Sequence, residues 1–143
     1  MRIEIPKEKR LVHEMLMPIR WGDMDALRHV NNTLYFRYME QARVEWIETL
    51  GLQVAPGKAA MLMMNGFCNF YQQLSYPGEL ILKTYIGNLG KSSVDLFTSM
   101  SLSTSPDVIS AEGGATMVWV DLETNKSTPW PQYLLQKLSL IHI

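Results

Sequence analysis

The sequence predicts an α+β domain in which a curved antiparallel sheet of about five strands wraps one long central helix. Three observations carry this expectation. Only residues 32–50 hold a sustained helical period, the text after residue 57 reads as strands joined by short turns, and no repeat, low-complexity stretch or linker divides the chain. One domain over 1–143 follows, with a core over 10–138 and residues 139–143 as a tail of unknown role.

The elements follow in order. From Leu11 to Ile19, apolar Leu11, Met15 and Met17 share one parity, which suits a first strand, and Pro18 marks an edge or a strand end. In NTLYFRYMEQARVEWIETL, Tyr35, Met39, Ala42, Trp46 and Leu50 recur at spacings of 4, 3, 4 and 4. Leu34, Tyr38 and Ile47 widen that stripe, while Arg37, Glu40, Gln41, Glu45 and Glu48 fill most of the other face, so the helix is amphipathic. Asn31 or Asn32 can cap its start and Gly51 can stop it. Its length is about 28 Å at the usual rise per residue.

Bulky, apolar MLMMNGFCNFYQQL then runs to a turn at Tyr76-Pro77-Gly78, and ELILKTYIGNLG closes at Gly90. In SSVDLFTSMSLST, Val94, Leu96, Met100 and Leu102 oppose Asp95, Ser99, Ser101 and Ser103 at a period of two. After Ser105-Pro106-Asp107, VISAEGGATMVWVDLET makes the last long strand, with Gly113-Gly114 as a bulge or a close backbone approach. Pro129 and Pro131 frame a short helix over Gln132 to Leu138. A sheet with one apolar face needs a cover, and a helix with a broad apolar stripe supplies it. This is the hot-dog arrangement, whose open edge strand can be protected by pairing in a dimer.

Composition narrows the function. Hydrophobic residues make up 47% and charged residues 19%, an ordinary soluble balance. A net charge of −1 gives no electrostatic case for nucleic acid or an anionic membrane as partner. No run approaches the roughly 20 apolar residues of a membrane helix, and the first residues lack a signal-peptide run. With Cys68 as the only cysteine, a reducing, cytoplasmic setting is expected.

The stretch RWGDMDALRHVNN, Arg20 to Asn32, crowds two aspartates, a histidine and two asparagines before the helix. A helix N-terminus presents unpaired N–H groups and partial positive charge, which can polarise a carbonyl and hold an oxyanion. A nearby carboxylate supplies a base for water or a nucleophile. Those parts suit acyl transfer to water, yet each residue also has a structural use. Asp25 can cap a turn or pair with Arg28, Asp23 can be held by Arg20 or local amides, and Asn31 and Asn32 are capping residues. His29 can be a packed histidine, Glu40 can pair with Arg37 or Arg43, and Cys68 lacks the surroundings of a thiol nucleophile.

The order Asp23-Met24-Asp25, then His29-Val30-Asn31-Asn32, Tyr35 and Glu40-Gln41-Ala42-Arg43 resembles a family signature, D-x-D-x-x-G-H-V-N-N-x-x-Y…E-x-A-R. It is that of the 4-hydroxybenzoyl-CoA thioesterase family, a hot-dog group that includes acyl-CoA and acyl-ACP thioesterases. The likeness spans about residues 10 to 138. It implies that Asp25 is the nucleophile or general base on a thioester and that the Asn32 backbone N–H polarises its carbonyl. Asn31, His29 and Tyr35 would together shape the loop and the pocket floor. Tyr71, Phe67, Phe70 and the methionines suggest an apolar acyl pocket and equally suit the core.

The resemblance also implies acyl-CoA or acyl-carrier protein as substrate, with coenzyme A or phosphopantetheine entering as part of it, and no other cofactor or metal. A homodimer is implied, with a homotetramer as a further possibility, and the Met61 to Phe70 strand of a second subunit would complete the pocket. Two positions depart from the pattern. Arg28 replaces the usual glycine, which implies a changed turn at some strain, or a charge offered to the donor's phosphates. The turn between the third and fourth strands keeps only Lys91 of the basic cluster that some relatives carry. A hot-dog enoyl-thioester hydratase using His29 and Asp25 and a non-catalytic acyl-binding module are the alternatives.

Overall fold

The computed structural model describes residues 1–52 and 57–140. Strand β1 (Arg10–Ile19) leads through a short 3₁₀ turn at Trp21–Asp23 to helix α1 (Asn32–Thr49). Strands β2 (Ala59–Phe70), β3 (Gly78–Leu89), β4 (Ser93–Leu102) and β5 (Ala111–Asp121) follow, then two-residue β6 (Lys126–Ser127) and helix α2 (Gln132–Leu140). The sheet order is β1-β3-β4-β5-β2, with β6 paired to β5, and every pairing is antiparallel.

The class is α+β with an antiparallel sheet, and two expected details are corrected. The sheet has six strands where about five were expected, because β6 is too short to carry an alternation signal. It is reached through a turn in which Asn125 sits at φ 57°. Helix α1 is not alone: the short helix expected over Gln132 to Leu138 forms as α2, which adds Leu134 and Leu138 to the core at 0% exposure. Ser139 and Leu140 extend α2 rather than starting a tail, and residues 141–143 lie outside the described residues.

Helix α1 starts where Asn31 accepts the Thr33 N–H at 2.9 Å and ends at Leu50, before left-handed Gly51 at φ 78°. The Lys137 ammonium donates to the Leu50 carbonyl at 2.6 Å, so α2 satisfies an acceptor that the helix end would leave open. The stripe read from spacing is the buried one: Tyr35, Tyr38, Met39, Ala42 and Trp46 pack inward. They divide between two apolar clusters. One gathers Tyr35, Tyr38, Met39 and Ala42 with Ile19, Leu80, Leu82 and Met100, and the other gathers Trp46 and Leu50 with Ile86, Leu96, Trp119 and Trp130.

Three irregularities lie where the sequence was silent. The β1–β3 register shifts between Leu11 and His13, which sends Leu11 outward at 48% exposure although it shares the parity of Met15 and Met17. The second shift falls in β2 between Met63 and Asn65, and the third in the β3–β4 ladder between Ile86 and Leu89. Gly113-Gly114 keeps a regular ladder, so there the close approach holds and the bulge does not. A Cβ on Gly113 would lie 2.8 Å from the Met39 sulfur.

Candidate active site

Between β1 and α1 the chain makes a small hairpin of its own. Met24 bridges Val30, the Asp25 N–H donates to the His29 carbonyl at 2.9 Å, and the Arg28 N–H donates to the Asp25 carbonyl at 3.0 Å. Arg28 closes the loop at φ 63°. The expected change of turn is therefore corrected: the left-handed conformation is kept and the arginine bears its strain. Its carbonyl accepts the Ser75 hydroxyl at 2.9 Å, and the Val30 N–H donates to the Leu74 carbonyl at 2.8 Å, so the segment after β2 braces the loop.

The two aspartates have different surroundings. Asp23 accepts the Tyr38 hydroxyl at 2.6 Å and the Arg20 N–H at 3.3 Å on the same oxygen, and its carbonyl accepts the Asn31 N–H at 3.0 Å. Burial and the adjacent Asp23 carboxylate push the Tyr38 hydroxyl well above its ordinary range. Asp25 makes no pair with Arg28. One of its oxygens accepts the Leu27 N–H at 2.9 Å, and the other takes no hydrogen bond among the described residues.

A cavity of about 340 Å³ brings together Asp25, Leu27, His29, Asn32, Tyr35 and Phe70, with Gln72 and Gln73 from the segment after β2. Asn32 is the first residue of α1. Its N–H has no acceptor among the described residues, because the Asn31 cap takes the Thr33 N–H and its carbonyl takes that of Leu34. Asp25 and Asn32, whose N–H is unpaired among the described residues, thus line one hollow. Tyr35 packs edge-on to Phe70, ring centres 4.8 Å apart, and its hydroxyl is raised chiefly by burial. His29 lines the cavity too, but its Nδ1 is buried without a partner.

Other candidates stand apart. Asn31 is the helix cap and does not line the hollow, and exposed Arg28 lies on its loop without lining it. Phe67 points to the other face of β2, where a Cβ on Gly114 would lie 2.8 Å from its ring. Lys91, in the β3–β4 turn, accepts the Trp130 N–H on its carbonyl, away from the Asp25 cavity lining. Leu27, Gln72 and Gln73 were missed. The only signal for the glutamines was a polar pair ending an apolar run, and their placement comes from the Tyr71 and Gln72 N–H groups, which both donate to the Ser110 carbonyl.

Comparison with known proteins bears on the family and the fold. Residues 19–138 match the family model of the Thioesterase-like superfamily. A candidate thioesterase of Pseudomonas aeruginosa is 36% identical, superimposes with a TM-score of 0.85, and is covered over 99% of its length by 90% of this chain. A candidate acyl-CoA thioesterase of Xanthomonas campestris is 25% identical with a TM-score of 0.77, covering 85% of this chain and 100% of that one. The uncharacterised protein YsmA of Bacillus subtilis is 24% identical over 125 residues, 87% of this chain and 82% of that protein.

Proposed function

This chain belongs to the Thioesterase-like superfamily, and from that premise we propose that it hydrolyses an acyl thioester of coenzyme A or of a carrier protein to free acid and thiol. The observation that carries the proposal is the shared hollow of Asp25 and the unpaired Asn32 N–H. The thioester carbonyl oxygen would accept that N–H, at the positive end of α1, where charge developing on the oxygen is stabilised. Asp25, with one oxygen held by Leu27 and the other free, then attacks the carbonyl carbon or takes a proton from an attacking water. In the first case a mixed anhydride forms as the thiolate leaves, and water hydrolyses it. In the second the water oxygen adds directly.

Tyr35 and Phe70 form an apolar wall for the acyl group beside the carbonyl site. Arg28 is a cation on the rim loop for a phosphate of the donor, while Lys91 could serve only a part of the donor reaching beyond the cavity. His29 and Asn31 hold the loop and the helix start in place. The alternative of enoyl-thioester hydration draws support from His29 sharing the cavity with Asp25.

The test is D25N assayed over acyl-CoA chain lengths and acyl-carrier donors. The expected result is a folded protein whose kcat falls by about 10²–10⁴-fold. Near-normal turnover in that variant would remove Asp25 from the chemistry. Single turnover in oxygen-18 water, followed by mass analysis of the peptide containing Asp25, separates the two routes. Hydration of an enoyl thioester without thiol release would instead select the hydratase reading.

A further inference from the structure

The segment before β1 crosses the outer face of the sheet, the face turned away from α1. At one end the Lys9 ammonium lies 4.9 Å from the centre of the Tyr85 ring in β3. At the other, the Ile3 N–H donates to the Asn69 side-chain oxygen at 3.3 Å, and the Asn69 amide donates back to the Ile3 carbonyl at 2.6 Å. Both anchors belong to the outer face. Tyr85 alternates with fully buried Thr84 and Ile86, and Asn69 stands opposite Glu112, the neighbour of the Gly113 that meets Met39 of α1. Three inter-strand steps separate β3 from β2, about 14 Å, and the six residues from Ile3 to Lys9 reach about 20 Å when extended. Ser99, which shares the register of Asn69 and Glu112 on that face, is only 8% exposed, in accord with a chain passing over it.

This strap carries Arg2 to the Asp25 cavity. The guanidinium lies over the Tyr71 ring, 4.8 Å from its centre, and Tyr71 lines the cavity beside Phe70 and Gln72. The Tyr71 hydroxyl donates to Glu112 at 2.8 Å, which fixes the ring from its far end. Arg2 is exposed, and its guanidinium has no hydrogen bond or ion pair among the described residues. Contact with a ring face uses none of its N–H donors, so the whole fork stays available for a bidentate contact with an oxyanion. The cavity lining holds Asp25 and no lysine or arginine. An anionic substrate therefore needs a cation at the mouth to offset repulsion by Asp25.

We propose that Arg2, held on Tyr71 by the strap, is a specificity-determining residue that binds an oxyanion of the substrate, a carboxylate or a phosphate, at the β2 side of the Asp25 cavity. The proposal rests on the reading of that cavity as a thioester site. Asn69 is then a positioning residue, since its two bonds to Ile3 set where Arg2 falls. The strap does not need Arg2 as a fastening, because the Asn69 pair holds its end and Ile5 is half-buried along its course.

Calorimetric titration with unhydrolysable thioethers tests this. The ligands are S-butyl-CoA, S-butyl-pantetheine, which lacks the phosphates, and S-(3-carboxypropyl)-pantetheine, which restores one anion on the acyl side. Arg2→Gln is expected to weaken at least one of the two charged ligands by about tenfold or more. A loss confined to S-butyl-CoA places the oxyanion among the donor's phosphates, and a loss confined to the carboxypropyl ligand places it on the acyl group. Arg2→Lys keeps the charge without the fork and should recover part of the loss, and Asn69→Ala should reproduce it. Circular dichroism checks that each variant is folded.

An Arg2→Gln chain that binds both charged ligands as tightly as wild type would overturn the proposal. So would an equal loss for uncharged S-butyl-pantetheine, which would make Arg2 a support of the cavity wall, or a wild-type chain that binds neither charged ligand. Absence of thioester turnover in the wild-type chain is a separate result: it would sink the thioesterase reading, while the affinities decide the role of Arg2.

Discussion

The Tyr38 hydroxyl donates to the Asp23 carboxylate at 2.6 Å, and this bond separates the two aspartates of the loop. It ties the loop to α1 through Asp23 and leaves Asp25 for the cavity. Tyr38→Phe removes one donor to a charged acceptor and should cost about 1.5–3 kcal/mol in chemical denaturation. The bond also sets an alkaline limit. Because the Tyr38 hydroxyl titrates higher in the folded chain than its ordinary 10.0, the unfolded chain releases that proton first. Its contribution is full below pH 10 and is lost as pH rises from there toward the folded value. Tyr38→Phe should therefore flatten the fall of stability above pH 10, and an unchanged slope would exclude Tyr38 as its source.

Gly113 decides how closely α1 approaches the sheet. A methyl there would meet the Met39 sulfur at 2.8 Å, and the Phe67 carbonyl is closer still. The backbone cannot yield without disturbing the β2–β5 ladder, so overpacking is the expected result. Gly113→Ala should lower stability by about 1–3 kcal/mol, measured by thermal or urea unfolding. Gly113→Ala should cost less when made in a Met39→Ala chain than in the wild-type chain, because the flexible half of the clash is gone. An equal cost in both backgrounds would place the whole of it on the ladder.

What the sequence made legible follows the range of its signals. The helix stripe depends on neighbours three and four residues away, so Tyr35, Met39, Ala42 and Trp46 could be placed from spacing alone. The shift that turns Leu11 outward depends on how β1 meets β3, some 70 residues on, and no local period records it. The site divides the same way. Asp25 and Asn32 belong to one short motif and meet in one cavity, whereas Gln72 and Gln73 arrive by the return of the chain after β2. The separate use of Asp23 became visible only through Tyr38, fifteen residues away.

Cys68 gives a readout of how well α1 and the sheet close. Burial, helped by the Glu112 charge, pushes its thiol up to about 12. At pH 8 the thiolate fraction is then about a thousandfold below that of an ordinary cysteine, and iodoacetamide labelling of the native chain should slow in proportion. Urea sufficient to unfold the chain should restore the ordinary rate. Fast labelling without denaturant would mean that this part of the sheet opens readily.

Arg28 stands where glycine would be the easier residue. At φ 63° an L side chain costs about 1–2 kcal/mol, whereas glycine takes that conformation freely but loses roughly 0.5–1 kcal/mol more chain entropy on folding. The loop bonds among Asp25, Arg28 and His29 are all made by backbone atoms, so a glycine can keep every one of them. The Arg28 side chain makes no hydrogen bond or ion pair among the described residues that its removal would break. Arg28→Gly should therefore stabilise the chain by about 0.5–1 kcal/mol in urea unfolding. Arg28→Ala, which retains the Cβ and its clash, should gain nothing, and the difference between the two isolates the backbone effect from loss of the guanidinium. A glycine variant less stable than wild type would show that the arginine side chain supports the fold, and the strain at φ 63° would then have a structural return instead of being tolerated for a charge at the cavity rim.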